Sequence, residues 1–241
     1  MFVDLLREQF FMYDNLSEKL VSIIELSKKK NKILSLGCGT GNLEFRLAKH
    51  GFTVVGIDSD SDSINFAIKE AQKLDLNISF LRHDYFSSLT QFDFEVILLM
   101  YPTLSLENFK KLLDNIYLSL PQNGIFIFNQ YFFSKNQVTE MTSFDELQNS
   151  VFCFSTYNKH SKVVSGNEIY FEKNMQNGLF SISIDRTFVP VEYENEFQLR
   201  EQLKRLISDK WKITEINSLD LICPTSSPPF CNQLLVTIEK L

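Results

Sequence analysis

The stretch KILSLGCGTGNLEFRLAKHG, residues 32–51, decides the fold. A short apolar run ends directly in three alternating glycines, Gly37, Gly39 and Gly41, and a helical pattern follows until Gly51. Backbone N–H groups of such a loop and the positive end of the helix dipole meet below a ligand at the carboxyl edge of a sheet. The stretch therefore predicts a strand, a ligand-binding glycine loop and a helix.

The next segment supplies an acidic partner for this loop. Residues 53–58 form a second apolar run that ends in Asp58, so its carboxylate is expected at the same sheet edge, where it can accept hydrogen bonds from both hydroxyls of a ribose. Ser61 is expected to cap a helix that runs to about Leu74, with its apolar side chains on one face.

The rest of the chain completes an α/β pattern and then departs from it. Strands alternating with helices predict parallel pairing through right-handed crossovers, and hence a doubly wound sheet. After about residue 145, strand patterns follow one another without helices, which predicts an antiparallel insertion. The expected parts are N-terminal helices at 1–30, a core at 31–144 and 191–241, and the β insertion at 145–190.

Composition excludes several classes of function. The net charge is −6 and there is no long basic cluster, so nucleic acid is a poor candidate partner. The chain has no run of about 18 apolar residues, which predicts no membrane span. Its four cysteines lack zinc-like spacing. We therefore expect no metal site, and a reduced, cytoplasmic protein.

The glycine loop and the acid after the second strand carry a resemblance to a known family. Leu36–Gly41 followed by Gly56-Ile57-Asp58 resembles the class I S-adenosylmethionine-dependent methyltransferases. The antiparallel insertion resembles the branch that contains the glycine, sarcosine and amino-sugar N-methyltransferases. The resemblance implies a Rossmann-like, mostly parallel sheet of seven strands with an N-terminal helical lid, and S-adenosylmethionine as the cofactor.

The resemblance also implies roles for individual residues. It places the glycines at the methionine moiety, Asp58 at the ribose, and Asp84, with Tyr85, at the adenine. The residues around Met100 are placed at the sulfonium. The complete set expected to bind the cofactor is Gly37, Cys38, Gly39, Gly41, Asp58, Ser59, Asp84, Tyr85 and Met100.

Two tyrosines are the candidates for the catalytic step. Tyr101 follows the fourth strand, where the family places residues that face the transferred methyl group, and Tyr13 resembles the tyrosine of the leading lid helix. Methyl transfer needs alignment in a dry pocket more than a dedicated base. The function implied is methylation of nitrogen or oxygen in a small-molecule acceptor, with a homodimer through the β insertion as a further expectation. The alternatives are a catalytically silent partner subunit that binds the cofactor, and a protein methyltransferase.

Overall fold

The protein is described here from a computed structural model. Its described backbone comprises residues 16–27, 31–100, 104, 106–133, 142–146, 149–158, 163–173, 180–190, 195–207, 209–219 and 231–241. Side chains are described at 16–27, 31–100, 104, 107–130, 195–207, 209–218 and 234–241. The chain divides into two compact units, one around a seven-stranded sheet and one around a four-stranded sheet.

The larger sheet is mostly parallel, as predicted. Its strands in chain order are β1 Lys32–Leu36, β2 Thr53–Asp58, β3 Ile78–Arg82, β4 Val96–Leu99, β5 Ile125–Phe133, β10 Trp211–Leu219 and β11 Cys231–Lys240. Their order in space is β10-β11-β5-β4-β1-β2-β3. The pairs β1–β2, β1–β4, β2–β3 and β4–β5 are parallel.

The strand order reverses at β1, which fixes where a ligand is expected. The chain runs outward from β1 to β2 and β3 on one side and returns to β4 and β5 on the other. Open α/β sheets bind ligands beyond the carboxyl ends of the strands at such a switch point. The glycine loop leaves β1 at this point.

The helices of this unit bury one face each. Helix α1 spans residues 16–26, α2 Asn42–Lys49, α3 Ser61–Ala71 and α4 Leu106–Ser119. The N-cap of α3 is Asp60, whose carboxylate accepts from Ser63 N at 2.9 Å, so the prediction that Ser61 is the cap was wrong by one residue. Both residue types cap helices well, and spacing alone does not separate neighbours. Among the described residues, no helix is long and apolar enough to cross a membrane.

The far edge of the sheet is antiparallel. Lys240, at the end of β11, exchanges backbone hydrogen bonds with Asn123 and Gly124, which precede β5. Leu241 N donates to Lys210 O, so the end of β11 also meets the start of β10. Strand β11 therefore runs antiparallel to both β5 and β10.

Several of the 23 phenylalanines of the chain lie in the core. Phe126 and Phe128 of β5 are fully buried and their ring centroids lie 4.9 Å apart. Phe109 of α4 lies 4.9 Å from Phe128. All four residues of β4 are buried too, which fits strands covered on both faces.

The smaller sheet is an antiparallel meander. Its strands are β6 Thr142–Glu146, β7 Asn149–Asn158, β8 Val163–Lys173 and β9 Phe180–Pro190, paired in that order. Helix α5, Glu196–Leu206, follows. The last three strands were expected from the sequence, and β6 was not.

Candidate functional site

The glycine loop is built from left-handed backbone. Gly37, Gly39 and Gly41 have φ values of 66°, 53° and 86°, a region that other residues adopt only at a cost. Among the described residues, a Cβ added to Gly39 would meet nothing within 4 Å, and one on Gly37 would meet only the Tyr85 ring, at 3.8 Å. Gly37 and Gly39 therefore present bare backbone to a space beside Tyr85 that no described residue fills.

Gly41 meets a different constraint, because it faces the protein interior. A Cβ at this position would lie 2.5 Å from Cζ of Phe80, a buried side chain that packs against Phe45, Ile64 and Ala67. Gly41 also begins α2, since its carbonyl accepts the hydrogen bond from Phe45 N at 2.9 Å. This glycine is needed to seat the helix below the loop.

Asp58 is fastened to the loop directly. Its Oδ2 accepts a hydrogen bond from Gly39 N at 2.8 Å, and its Oδ1 accepts one from Asp60 N at 2.9 Å. The carboxylate is half-buried. Two backbone donors thus hold it at the carboxyl end of β2, and the remaining lone pairs of its oxygens can accept hydrogen bonds from a ligand.

The turn after β3 lies next to this loop. His83 N donates to Asp58 O at 2.9 Å, which ties the start of the turn to β2. Asp84 closes the turn, since its Oδ1 accepts from Phe86 N at 2.9 Å. Burial, followed by the charges of Asp58 and Asp84, raises the pKa of Tyr85. The structure thus brings Asp58, Asp84 and Tyr85 to one edge of the sheet.

A buried acid lies under the loop. Glu44, in the first turn of α2, is 2% exposed, and its Oε1 accepts a hydrogen bond from the equally buried Ser35 hydroxyl at 2.6 Å. Its Oε2 is buried without a hydrogen-bond partner among the described residues. Burial raises the pKa of Glu44 to about 7, against the lowering effect of the Ser35 hydrogen bond. This carboxyl group therefore changes charge near neutral pH.

The Cys38 side chain packs away from the open space. Its thiol lies against the cluster of Ile64, Ala67 and Phe80, and a Cβ on Gly56 would approach its Sγ to 2.9 Å. Burial, followed by the charge of Glu44, strongly raises the pKa of the thiol. A thiol that is rarely ionised is a poor nucleophile, so we expect Cys38 to take part in binding through its backbone.

The other candidate residues differ in how far the structure describes them. Met100 is half-buried directly after β4, and Ser59 is exposed beside Asp58. The catalytic candidates Tyr13 and Tyr101 lie outside the described residues.

Two residues near this edge were not singled out from the sequence, Glu44 and Asn115. The signal for Glu44 was available, because it lies within the buried stripe of α2 that contains Leu43, Leu47 and Ala48. Asn115 of α4 donates to the carbonyl oxygens of Tyr85 and Ser87. A contact over 30 residues leaves no local pattern in the sequence.

The fold is that of a doubly wound α/β protein with a glycine loop at the carboxyl end of β1. A family described as a methyltransferase domain matches residues 27–203. The chain belongs to this family, which confirms the predicted enzyme class.

Individual proteins agree with this assignment. The Bacillus subtilis (strain 168) protein YqeM, which is named a methyltransferase on a provisional basis, is 32% identical over 111 residues. That match covers 42% of this chain and 42% of YqeM, so it spans about two fifths of the relative's length.

Solved structures show the same fold over nearly the whole chain. An S-adenosylmethionine-dependent methyltransferase from Clostridium acetobutylicum has a TM-score of 0.72 at 15% identity, over 95% of this chain and 92% of that one. An amino pentose methyltransferase from Micromonospora echinaspora, solved with S-adenosylmethionine bound, has a TM-score of 0.71 at 11% identity, with the same coverage.

Proposed function

We propose that this chain transfers a methyl group from S-adenosylmethionine to a nitrogen or oxygen atom of a small-molecule acceptor. The observation that carries the proposal is the hydrogen bond from Gly39 N to Asp58, in a loop where a Cβ on Gly37 or Gly39 would not collide with any described residue. An acid held in this way can bind two ribose hydroxyls while bare backbone approaches the rest of the ligand.

The roles proposed for the residues follow from their positions. Gly37, Gly39 and Gly41 shape the loop around the methionine moiety, and Cys38 contributes its backbone. Asp58 binds the ribose, with Ser59 next to it. Asp84 accepts a hydrogen bond from the adenine amino group and Tyr85 packs beside it. Met100 lies at the carboxyl end of β4, where the sulfonium is expected.

When bound, the cofactor supplies an activated methyl group on a positively charged sulfur. The protein has to align the acceptor in line with that group and exclude water, which accelerates the reaction without a dedicated base. We propose Tyr101 and Tyr13 as the residues that contact the acceptor or the methyl group.

The acceptor class is proposed from a solved structure with the same fold. The Micromonospora echinaspora protein of the same fold is an amino pentose methyltransferase, which supports a small molecule with an amino or hydroxyl group. The net charge of −6 also disfavours a polyanionic acceptor.

Replacement of Asp58 tests the cofactor site. The variant Asp58→Ala removes the ribose acceptor and frees Gly39 N, so we expect S-adenosylmethionine affinity to fall at least about a hundredfold, since a carboxylate forms strong hydrogen bonds. Isothermal titration calorimetry measures this change. The matched control is Asp62→Ala, an exposed acid of α3. Equal affinity in both variants would refute the proposed site.

A labelling experiment tests the acceptor class. The full chain is incubated with methyl-labelled S-adenosylmethionine and a mixed cell extract, and small molecules are separated from proteins before counting. After the unreacted labelled donor is removed, we expect label in the small-molecule fraction, and less of it with Tyr101→Phe. Label found only in proteins would overturn the acceptor class, and no turnover with any acceptor would indicate a silent binding subunit.

A further inference from the structure

The side chain of Asn115 joins helix α4 to the turn after β3. Its amide nitrogen donates one hydrogen bond to Tyr85 O at 3.0 Å and a second to Ser87 O at 2.7 Å. The partners lie 30 and 28 residues away in sequence. Both N–H groups of the amide therefore donate hydrogen bonds to the backbone of this turn.

The turn has little apolar packing of its own. Asp84, Phe86, Ser87 and Ser88 are exposed, and burial resumes only at Leu89. Hydrogen bonds must therefore determine the direction of its carbonyl groups. One end is tied to β2 through His83 N and Asp58 O, and Asn115 ties the middle to α4.

The chemistry of the side chain suits this task. A primary amide holds two N–H donors in one plane at a fixed angle, which lets it serve two carbonyl groups at once. Aspartate has the same shape and no N–H donor when ionised, so it would turn two attractions into two repulsions. Position 115 therefore requires a donor.

We propose that Asn115 is a positioning residue of the cofactor site, which fixes the Tyr85–Ser87 backbone and so holds Tyr85 and Asp84 where the purine binds. This inference rests on the proposed function. The ring of Tyr85 lies beside Gly37, and Asp84 closes the same turn through Phe86 N. A turn released from α4 would displace both groups together.

The test compares Asn115→Asp with Leu118→Asp, which adds the same charge at a 74% exposed position of α4. Affinity for S-adenosylhomocysteine is measured by calorimetry on the full chain. We expect Asn115→Asp to weaken binding about tenfold, the order of magnitude for two lost hydrogen bonds. Leu118→Asp should bind like the wild type, and Asn115→Gln, which keeps the amide, should recover part of the loss.

A second ligand separates positioning from a general loss of structure. The same proteins are titrated with an analogue of S-adenosylhomocysteine whose purine lacks the 6-amino group. Displacement of Asp84 should cost the normal ligand more than the analogue, so the preference of Asn115→Asp for the normal ligand should shrink. An equal loss for both ligands would indicate a merely structural role and overturn the inference.

The remaining outcomes are also decisive. Wild-type protein that binds neither S-adenosylmethionine nor S-adenosylhomocysteine would refute the proposed function itself. Wild-type binding with unchanged affinity in Asn115→Asp would refute the positioning role alone. If Asn115→Asp does not fold by circular dichroism, Asn115→Ser, which keeps one donor, takes its place with an expected loss of about threefold.

Discussion

The loop after β1 and the turn after β3 lie at the same edge of the sheet, but different interactions determine their conformations. The loop Gly37–Gly41 depends on left-handed backbone and on the absence of side chains. The turn at Asp84–Ser87 depends on side chains, its own Asp84 and the distant Asn115. One part of the site is therefore encoded locally, and the other is encoded by the way the chain folds back.

This difference predicts how substitutions should affect the loop and the turn. A side chain added to the loop should act through backbone strain and collision. A side chain removed from the turn should act through lost hydrogen bonds, with smaller effects on stability. The following substitutions test that distinction.

Gly41→Ala should have the largest effect on stability. The new Cβ would sit at φ 86° and 2.5 Å from the Phe80 ring, which is packed on several sides. Strain and collision together should lower the free energy of unfolding by about 3 kcal/mol. Urea denaturation measures this.

Gly39→Ala is the matched control for that experiment. Its φ is 53° and a Cβ there meets no described residue within 4 Å, so only the backbone cost of about 1 kcal/mol is expected. The new methyl group would instead occupy the space proposed for the cofactor and should abolish cofactor binding. If the two variants lost stability equally, collision at Phe80 would not be the reason for Gly41.

Glu44→Gln should change how stability depends on pH. The folded state raises the pKa of Glu44 from 4.5 to about 7, so the folded protein binds this proton more tightly than the unfolded chain. Burial of Glu44 therefore lowers the free energy of unfolding least below pH 4.5, and it lowers it more as the pH rises toward 7. Glutamine does not titrate.

The measurement is the difference in the free energy of unfolding between the Gln variant and the wild type. From pH 5 to pH 8 it should move in favour of the variant by roughly 2 kcal/mol. A Glu70→Gln variant, at a partly exposed acid of α3, controls for general charge effects. A difference that stays constant with pH would show that Glu44 is ionised throughout.

Asp84→Asn should have the smallest of these effects on stability, with its consequence confined to binding. Its amide oxygen can still accept from Phe86 N, while an NH₂ group replaces the oxygen offered to the purine. We expect S-adenosylhomocysteine to bind about fivefold more weakly. Asp60→Asn, at the exposed cap of α3, is the matched control, because asparagine also caps helices. Equal affinity in both variants would show that Asp84 does not contribute to ligand binding.

The same distinction explains how much could be predicted from the sequence. The glycine loop, Asp58 and the parallel strands were found because their signals are local: glycine spacing, an apolar run, and an acid at the end of a strand. The doubly wound fold followed from the alternation of these segments. The carboxyl ends of these strands then indicated where the candidate site lies.

The parts that were missed depend on contacts between distant segments. Asn115 is an ordinary polar residue of an amphipathic helix until α4 packs beside the turn. The strand Thr142–Glu146 was not identified, and its backbone partners come from β7. Glu44 could have been found, since it interrupts an apolar stripe, but its pairing with Ser35 required the packing of α2 on β1.

The return of the chain to the seven-stranded sheet at β10 has a consequence for how the chain can vary. The residues between Phe133 of β5 and Trp211 of β10 form one long closed connection of this sheet, which includes the four-stranded sheet. The entropy of closing such a connection grows only logarithmically, by about 0.6 kcal/mol for each doubling of its length. Large insertions or deletions there would therefore cost the sheet little, and that stretch can diverge while the strands around Gly37 and Asp58 stay in register.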